Sequence, residues 1–368
     1  MVIKKKSLIV VILLLLLVLF ATILLAAGGR SLPPQVEFVL NTVCTINLYE
    51  GGNQRLYSRI FARIREIDRT MTAFPEGFKE LAGGGAVHPL KPETPGSGVI
   101  AINEQAGIAP VKVRADLFEL LETALYYAEL SGGAFDPTIG PLVRLWGIGT
   151  DTQRIPGNEE IAAALELVNW RDLAIDREAG TAFLKRKGMA LDLGAIAKGY
   201  AGDEAARIAG EANVQRALFD LGGNIAALGW RERKGNKTLP WRIGIQNPLS
   251  GRGAYIGVLP VHDTSVVTSG VYERFFESGG KRYHHLFSTT DGYPVENGLL
   301  SVTIITKSST AADALSTVIF TLGFERGMAV LDSIPGTEAI FIFDDRSVKI
   351  TGGLAGIFTL TNDEFTLD

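Results

Sequence analysis

The sequence predicts a mixed α+β fold, with sheets packed against helices. Strand-like segments outnumber helical ones, and the two kinds alternate irregularly along the chain. A doubly wound parallel sheet would instead show regular alternation. The 368 residues are enough for a sizeable core, and no internal repeat or second linker marks a domain boundary. A net charge of -4, without a basic cluster interleaved with aromatics, argues against nucleic acid as a partner.

The elements follow in order. Lys4, Lys5 and Lys6 precede an unbroken apolar run from Leu8 to Ala27. Positive charge before such a run reads as an export signal. The run is long enough for a spanning helix, which needs about 20 residues. Its end, Leu25-Ala26-Ala27-Gly28, has small residues suited to cleavage. Residues 1–27 are therefore read as a signal peptide or membrane anchor, with the rest of the chain outside the cytoplasm. Residues 28–35 form a Gly/Pro linker, and 36–368 the folded domain.

Residues 36–49 are β-branched and alternating, which predicts one strand. Cys44, the only cysteine, falls at a buried position of it. A single thiol excludes an internal disulfide and a cysteine-based metal site. Leu56, Ile60, Ile64, Ile67 and Met71 recur at helical spacing. Residues 74–97 are rich in Gly and Pro and read as a surface loop, with His88 solvated. A helix follows over 116–130, capped by Asp116 with Glu119 three residues on, and ended by Gly132 and Gly133. Further helices are predicted at 158–167, 195–212, 310–322 and 325–334. Strands are predicted at 190–193, 216–220, 241–245, 266–269, 301–306 and 339–343.

Four stretches carry candidate chemistry. LDLGAIAKGYAGD (191–203) has two glycines, Gly194 and Gly199, and Lys198 between them at a predicted strand-to-helix turn. Backbone approach plus a helix N-terminus suits an anion. The spacing fits neither the P-loop nor the dinucleotide fingerprint, and tight packing explains it equally well. Asp192, a carboxylate at the end of an apolar run, needs a partner.

TAADALSTVIF (310–320) places Asp313 and Thr317 four apart, on one helical face. A carboxylate and a hydroxyl are hard oxygen ligands of the kind magnesium takes. A Thr bonded back to its own helical turn is the alternative. SGGAFDPTIGPLVRLWG (131–147) is a Gly/Pro-rich loop too apolar to be simply solvated, with Phe135 and Asp136 at its centre. TSGVYERFF (268–276) leads into RYHHLFSTTDGYP (282–294), where His284 and His285 are adjacent. At most one of them points into a given site if the segment is strand, and a histidine there can act as acid or base. His262 has no supporting context.

Taken together and in order, these stretches, with LFDLGGNIAALG and ADALSTVIFTLG, resemble the ApbE family, the FAD:protein FMN transferases. The similarity runs from about Phe38 to about Asp344. It implies an ApbE-like flavin transferase fold and a reaction in which FMN passes from FAD to a threonine hydroxyl of a partner flavoprotein, with magnesium as cofactor and AMP released. It implies partners among subunits of membrane redox complexes, and a place at the extracytoplasmic face of the bacterial inner membrane. Carried over by position, the metal ligands are Asp313, Thr317 and the main-chain carbonyl of Ala195. Contacts to FAD come from Leu40, Thr42, Phe74, Ala134, Phe135, Asp136, Asp192, Lys198, Ser269 and Gly270. His285 is the residue assisting proton removal from the incoming hydroxyl.

The chain departs from the family where Asp-Pro usually follows this histidine: Ser288 and Thr289 stand there, and Asp291 stands where Thr is common. The loop after Phe74 is also longer than usual. Two alternatives share the site. One is a magnesium-dependent FAD pyrophosphatase giving FMN and AMP. The other is a non-catalytic FAD carrier, which would not need the Asp313/Thr317 pair.

Overall fold

The computed structural model describes residues 32–49, 51–73, 98–235 and 237–368. Nine strands form one sheet whose spatial order repeats chain order: β1 (Gln35–Val39), β2 (Thr42–Leu48), β3 (Ala217–Leu221), β4 (Asn224–Leu228), β5 (Thr264–Gly270), β6 (Leu299–Thr306), β7 (Glu338–Phe343), β8 (Ser347–Ile350) and β9 (Thr366–Leu367). Neighbours are antiparallel except the last pair, β8 and β9. The helices are α1 (Gln54–Met71), α2 (Val99–Glu104), α3 (Ala115–Leu130), α4 (Gly140–Trp146), α5 (Asn158–Leu165), α6 (Ala197–Glu211), α7 (Ser309–Leu322) and α8 (Phe324–Leu331).

Helices α1, α6 and α7 cover one face, burying Ile60, Ile64, Ala201 and Val318 against Ile46, Phe219, Val302 and Ile304. A three-stranded sheet (Trp241–Gln246, Tyr255–Val261 and Thr359–Leu360) covers the other face with Trp241, Ile243, Ile256 and Leu259. Coverage on both sides explains why LLSVTIIT and EAIFIF are nearly continuous apolar runs: neither face of these strands meets water. A third cluster, Leu142, Trp146, Ile148, Ile161 and Phe287, lies outside the main layers. The mixed α+β expectation stands.

Four local expectations are corrected. Residues 36–49 are a hairpin rather than one strand. Leu40 (φ 57) and Asn41 (φ 55) both take left-handed backbone, the requirement of a two-residue type I′ turn, which asparagine tolerates well. Asp116 does not cap α3, which starts after Arg114 with no side-chain cap. Its carboxylate is drawn instead to the guanidinium groups of Arg63 (2.8 Å) and Arg114 (3.0 Å). The 131–147 loop turns helical in its second half, as α4, because Pro141 sits at the helix start and Leu142 and Trp146 are fully buried.

The expected strand at 190–193 is a single bridge between Ala190 and Ile139. Its backbone is satisfied without a sheet: Asn103 accepts from Leu191 N–H (2.7 Å) and donates to Leu191 C=O (3.1 Å), and Asp192 N–H reaches Pro137 C=O (2.9 Å). Gly132 and Gly133 do end α3, with positive φ and a bond from Gly133 N–H to Ala128 C=O. Cys44 is fully buried on β2, as expected. The expectations for residues 1–27, Phe74, His88 and the loop around them lie outside the described residues. No helix among the described residues is long and apolar enough to cross a membrane.

Candidate functional site

The site is built where α6 and α7 meet. A Cβ on Gly199 would stand 2.2 Å from Ser309 O and 2.7 Å from the Asp313 Cβ. Only glycine lets the two helices come this close. That approach aims the Asp313 carboxylate at the first turn of α6, where Gly199 N–H donates to Asp313 Oδ2 at 2.8 Å. This N–H belongs to the first helical turn, which leaves it without an intrahelical acceptor. The start of α7 is fixed by Asp203, which accepts from Ser309 N–H (2.7 Å), Thr310 N–H (2.9 Å) and the hydroxyls of Ser308 and Thr310 (2.8 and 2.6 Å).

Around this junction one cleft collects residues distant in sequence. Of the residues expected at the site, Leu40, Thr42, Ala134, Phe135, Asp136, Asp192, Ala195, Lys198, Ser269, His285, Asp313 and Thr317 all line it. Leu40 and Thr42 reach it from the β1–β2 turn. Phe74 lies outside the described residues. Gly270 does not line the cleft; a Cβ there would meet the Tyr272 ring at 2.6 Å, so this glycine makes room for packing.

The oxygens beside α6 form a hard-ligand set. Asp313 is 3 % exposed, so its charge needs partners. Lys198 Nζ supplies part of the compensation, lying 3.4 Å from Asp313 Oδ1 and 3.5 Å from Gly194 O. A cation thus already bridges the loop and the helix. Among the described residues, Thr317 Oγ1 makes no bond to its own helical turn and instead meets Ser269 Oγ at 3.3 Å. Among the described residues, no hydrogen bond is made to the Ala195 carbonyl, and no group of three or more His, Cys, Asp or Glu forms a metal cage. One carboxylate, one hydroxyl and one free carbonyl fit magnesium that keeps waters and takes substrate phosphate oxygens, not a cation held wholly by protein.

On the facing wall, the hairpin Phe275–Ser278 with Lys281–His284 sorts the two histidines. His284 turns inward, its Nε2 at 3.0 Å from Val295 O, and burial pushes its pKa down to about 4. His285 turns to the cleft. Its Nδ1 lies 3.2 Å from Arg274 O, a pure acceptor, so Nδ1 carries the proton and Nε2 is the basic nitrogen. Burial, with Arg274 adding repulsion, pushes the His285 pKa down to about 3. The ring is neutral at physiological pH. Burial also raises Asp192 and Glu273, opposed for Asp192 by Gly194 N–H and for Glu273 by Lys198 and Arg274.

Asp136 is an organiser of its loop. Its oxygens accept from Thr138 N–H, the Thr138 hydroxyl and Trp170 N–H, all within 2.9 Å. Thr289, at one of the positions that depart from the family, donates to Gly133 O at 2.8 Å and ties the two walls together. Ser288 caps its own turn instead, and Asp291 is exposed.

Sequence reasoning missed Arg252, Arg274 and Glu273, which also line the cleft. Arg274 and Glu273 sit inside the TSGVYERFF stretch already singled out. Arg252 comes from a loop of the three-stranded sheet, and its NPLSGRG context reads only as a turn.

Comparison with known proteins agrees with this architecture. Residues 40–341 match the ApbE family. A protein of Treponema pallidum named FAD:protein FMN transferase is 36% identical over 343 residues, covering 91% of both chains. A Klebsiella pneumoniae protein of the same name is 40% identical over 69% of this chain and 78% of its own. The crystal structure of the ApbE protein of Thermotoga maritima superposes with a TM-score of 0.73 at 28% identity, covering 89% of this chain and 99% of that one. The chain belongs to the ApbE family.

Proposed function

We propose that this protein is a flavin transferase that moves FMN from FAD onto a threonine hydroxyl of a partner protein, with magnesium as cofactor and AMP as leaving product. The observation that carries the reading is the set formed by Asp313, Thr317 and the free Ala195 carbonyl, with Lys198 beside it, in the same cleft as His285. Bound magnesium offsets diphosphate charge and stabilises the charge that develops on the leaving phosphate.

The chain's own residues supply the rest. The acceptor hydroxyl oxygen forms the new bond to the FMN phosphorus. The P–O–P bridge breaks, AMP leaves with that electron pair, and the hydroxyl proton passes to His285 Nε2. Holding Nδ1–H on Arg274 O keeps the basic nitrogen toward the cleft. The neutral ring is ready to accept, and the negative charge of FAD raises its weak basicity. Lys198, Arg252 and Arg274 make the cleft attractive to a diphosphate. Leu40, Thr42, Ala134, Phe135 and Ser269 offer apolar and hydroxyl surface for the flavin and adenosine.

The printed names of the relatives from Treponema pallidum and Klebsiella pneumoniae support the substrate pair. Lys4–Lys6 before the apolar run Leu8–Ala27 supports an extracytoplasmic enzyme, membrane-anchored or periplasmic, that acts on subunits of membrane redox complexes. The test is product analysis. FAD, magnesium and an acceptor domain with a reactive threonine should give AMP and flavin-labelled acceptor in equal amounts. FMN and AMP without labelling would make the protein a pyrophosphatase. Unchanged FAD would make it a carrier.

A further inference from the structure

The hydroxyls around Thr317 form a chain whose direction follows from counting hydrogens. Ser316, fully buried on α7, donates its only hydroxyl hydrogen to the Asp313 main-chain carbonyl at 2.9 Å. A carbonyl has no hydrogen to return. The 2.8 Å contact between Ser316 Oγ and Ser269 Oγ must therefore use the hydrogen of Ser269. With that hydrogen committed, Ser269 meets Thr317 Oγ1, at 3.3 Å, only as an acceptor. The Thr317 hydrogen is turned toward β5, and its lone pairs are left for the cleft that Thr317 lines.

We propose that Ser316 is a positioning residue which, acting through Ser269, holds the Thr317 hydroxyl as a lone-pair donor to a divalent cation. The inference rests on the cation site under Proposed function. Without the Ser316 oxygen, Ser269 is free to donate to Thr317. The Thr317 hydrogen then turns toward the cation, where it opposes binding. Residues that orient a metal ligand in this way typically carry 10–100-fold in affinity, and a 3.3 Å link belongs at the low end, roughly tenfold.

The test uses the full chain with FAD and no acceptor, and Mn2+ as the probe, with free Mn2+ counted by electron paramagnetic resonance. Ser316→Ala, Thr317→Ala and the double variant form a cycle. The expected result is roughly tenfold weaker Mn2+ binding in Ser316→Ala, and no further loss when Ser316→Ala is added to Thr317→Ala. Ser316→Thr, which keeps the hydroxyl, should restore most of the affinity. If Ser316→Ala does not fold, Ser316→Cys, with its weak donor, takes its place in the cycle. Unchanged binding in Ser316→Ala, with weakened binding in Thr317→Ala, overturns the relay and leaves the cation site standing. Equal losses from Ser316→Ala on both backgrounds also overturn it, since the effect then bypasses Thr317. Unchanged binding in Thr317→Ala overturns the cation site itself.

Discussion

Replacing Gly199 by alanine adds one methyl group where α6 and α7 approach each other beside the site. The new Cβ would lie 2.2 Å from Ser309 O and 2.7 Å from Asp313 Cβ, whereas ordinary contact begins at 3.4 Å. Both neighbours belong to α7, and neither is the end of a flexible side chain. The helices must part by about 1 Å, and overpacking of this kind costs ~1–3 kcal/mol. The bond from Gly199 N–H to Asp313 Oδ2, now 2.8 Å, is stretched by the same motion. Asp313 and Thr317 then move away from Ala195. Misplacement by 1 Å in a catalytic site costs about 10²-fold. Thermal unfolding followed by circular dichroism should show a lower Tm, and flavin transfer to a threonine-bearing domain should fall by about two orders of magnitude. A folded Gly199→Ala variant with unchanged transfer would refute the claim that this close approach builds the site.

Other consequences are direct. Thr289→Val removes the tie to Gly133 O, worth ~0.5–1.5 kcal/mol net, so the KM for FAD should rise a few-fold with kcat little changed; an unchanged KM contradicts the role given to this tie. His285 has its pKa pushed down to about 3, so a pH–rate profile for kcat/KM should show no histidine inflection between pH 6 and 7, and one there would contradict the neutral ring. His284 is lowered from 6.5 to about 4, so the unfolded chain binds more protons between those values. Its contribution is complete above pH 6.5 and lost as pH falls toward 4. The Tm gain from pH 5 to pH 7 should therefore shrink in His284→Asn. Cys44 is fully buried, and burial pushes its thiol up to about 12. It should resist a thiol reagent at pH 8 until the protein is unfolded, and rapid reaction of the native protein would contradict that burial.

Much of the site was legible because helical spacing survives folding. Asp313 and Thr317 share a face in any helix, so their pairing could be read directly from the sequence. His284 is the buried last residue of its strand, and His285, just past the strand end, lines the cleft, so the two neighbours diverge as expected. The glycines of LDLGAIAKGYAGD were legible as close approach, but the partner was not: Gly199 admits a second helix, and the loop's anion-binding look comes from Lys198 and one N–H. The strand expected at 190–193 failed because a single side chain, Asn103, replaces a sheet partner, which local pattern cannot foresee. The hairpin at 40–41 was hidden because leucine is a poor signal for left-handed backbone. Arg252 was invisible because only tertiary packing brings its loop across from the other sheet.

Whether the oxygen set at Asp313 supports chemistry between FAD and a protein hydroxyl is read out by tandem mass spectrometry of an acceptor domain after incubation with FAD and magnesium. The prediction is FMN joined by a phosphoester to one threonine, with the label lost in Asp313→Ala and in the presence of a chelator. Full labelling by Asp313→Ala, or FAD consumed by the wild type with no label on the acceptor, would contradict it.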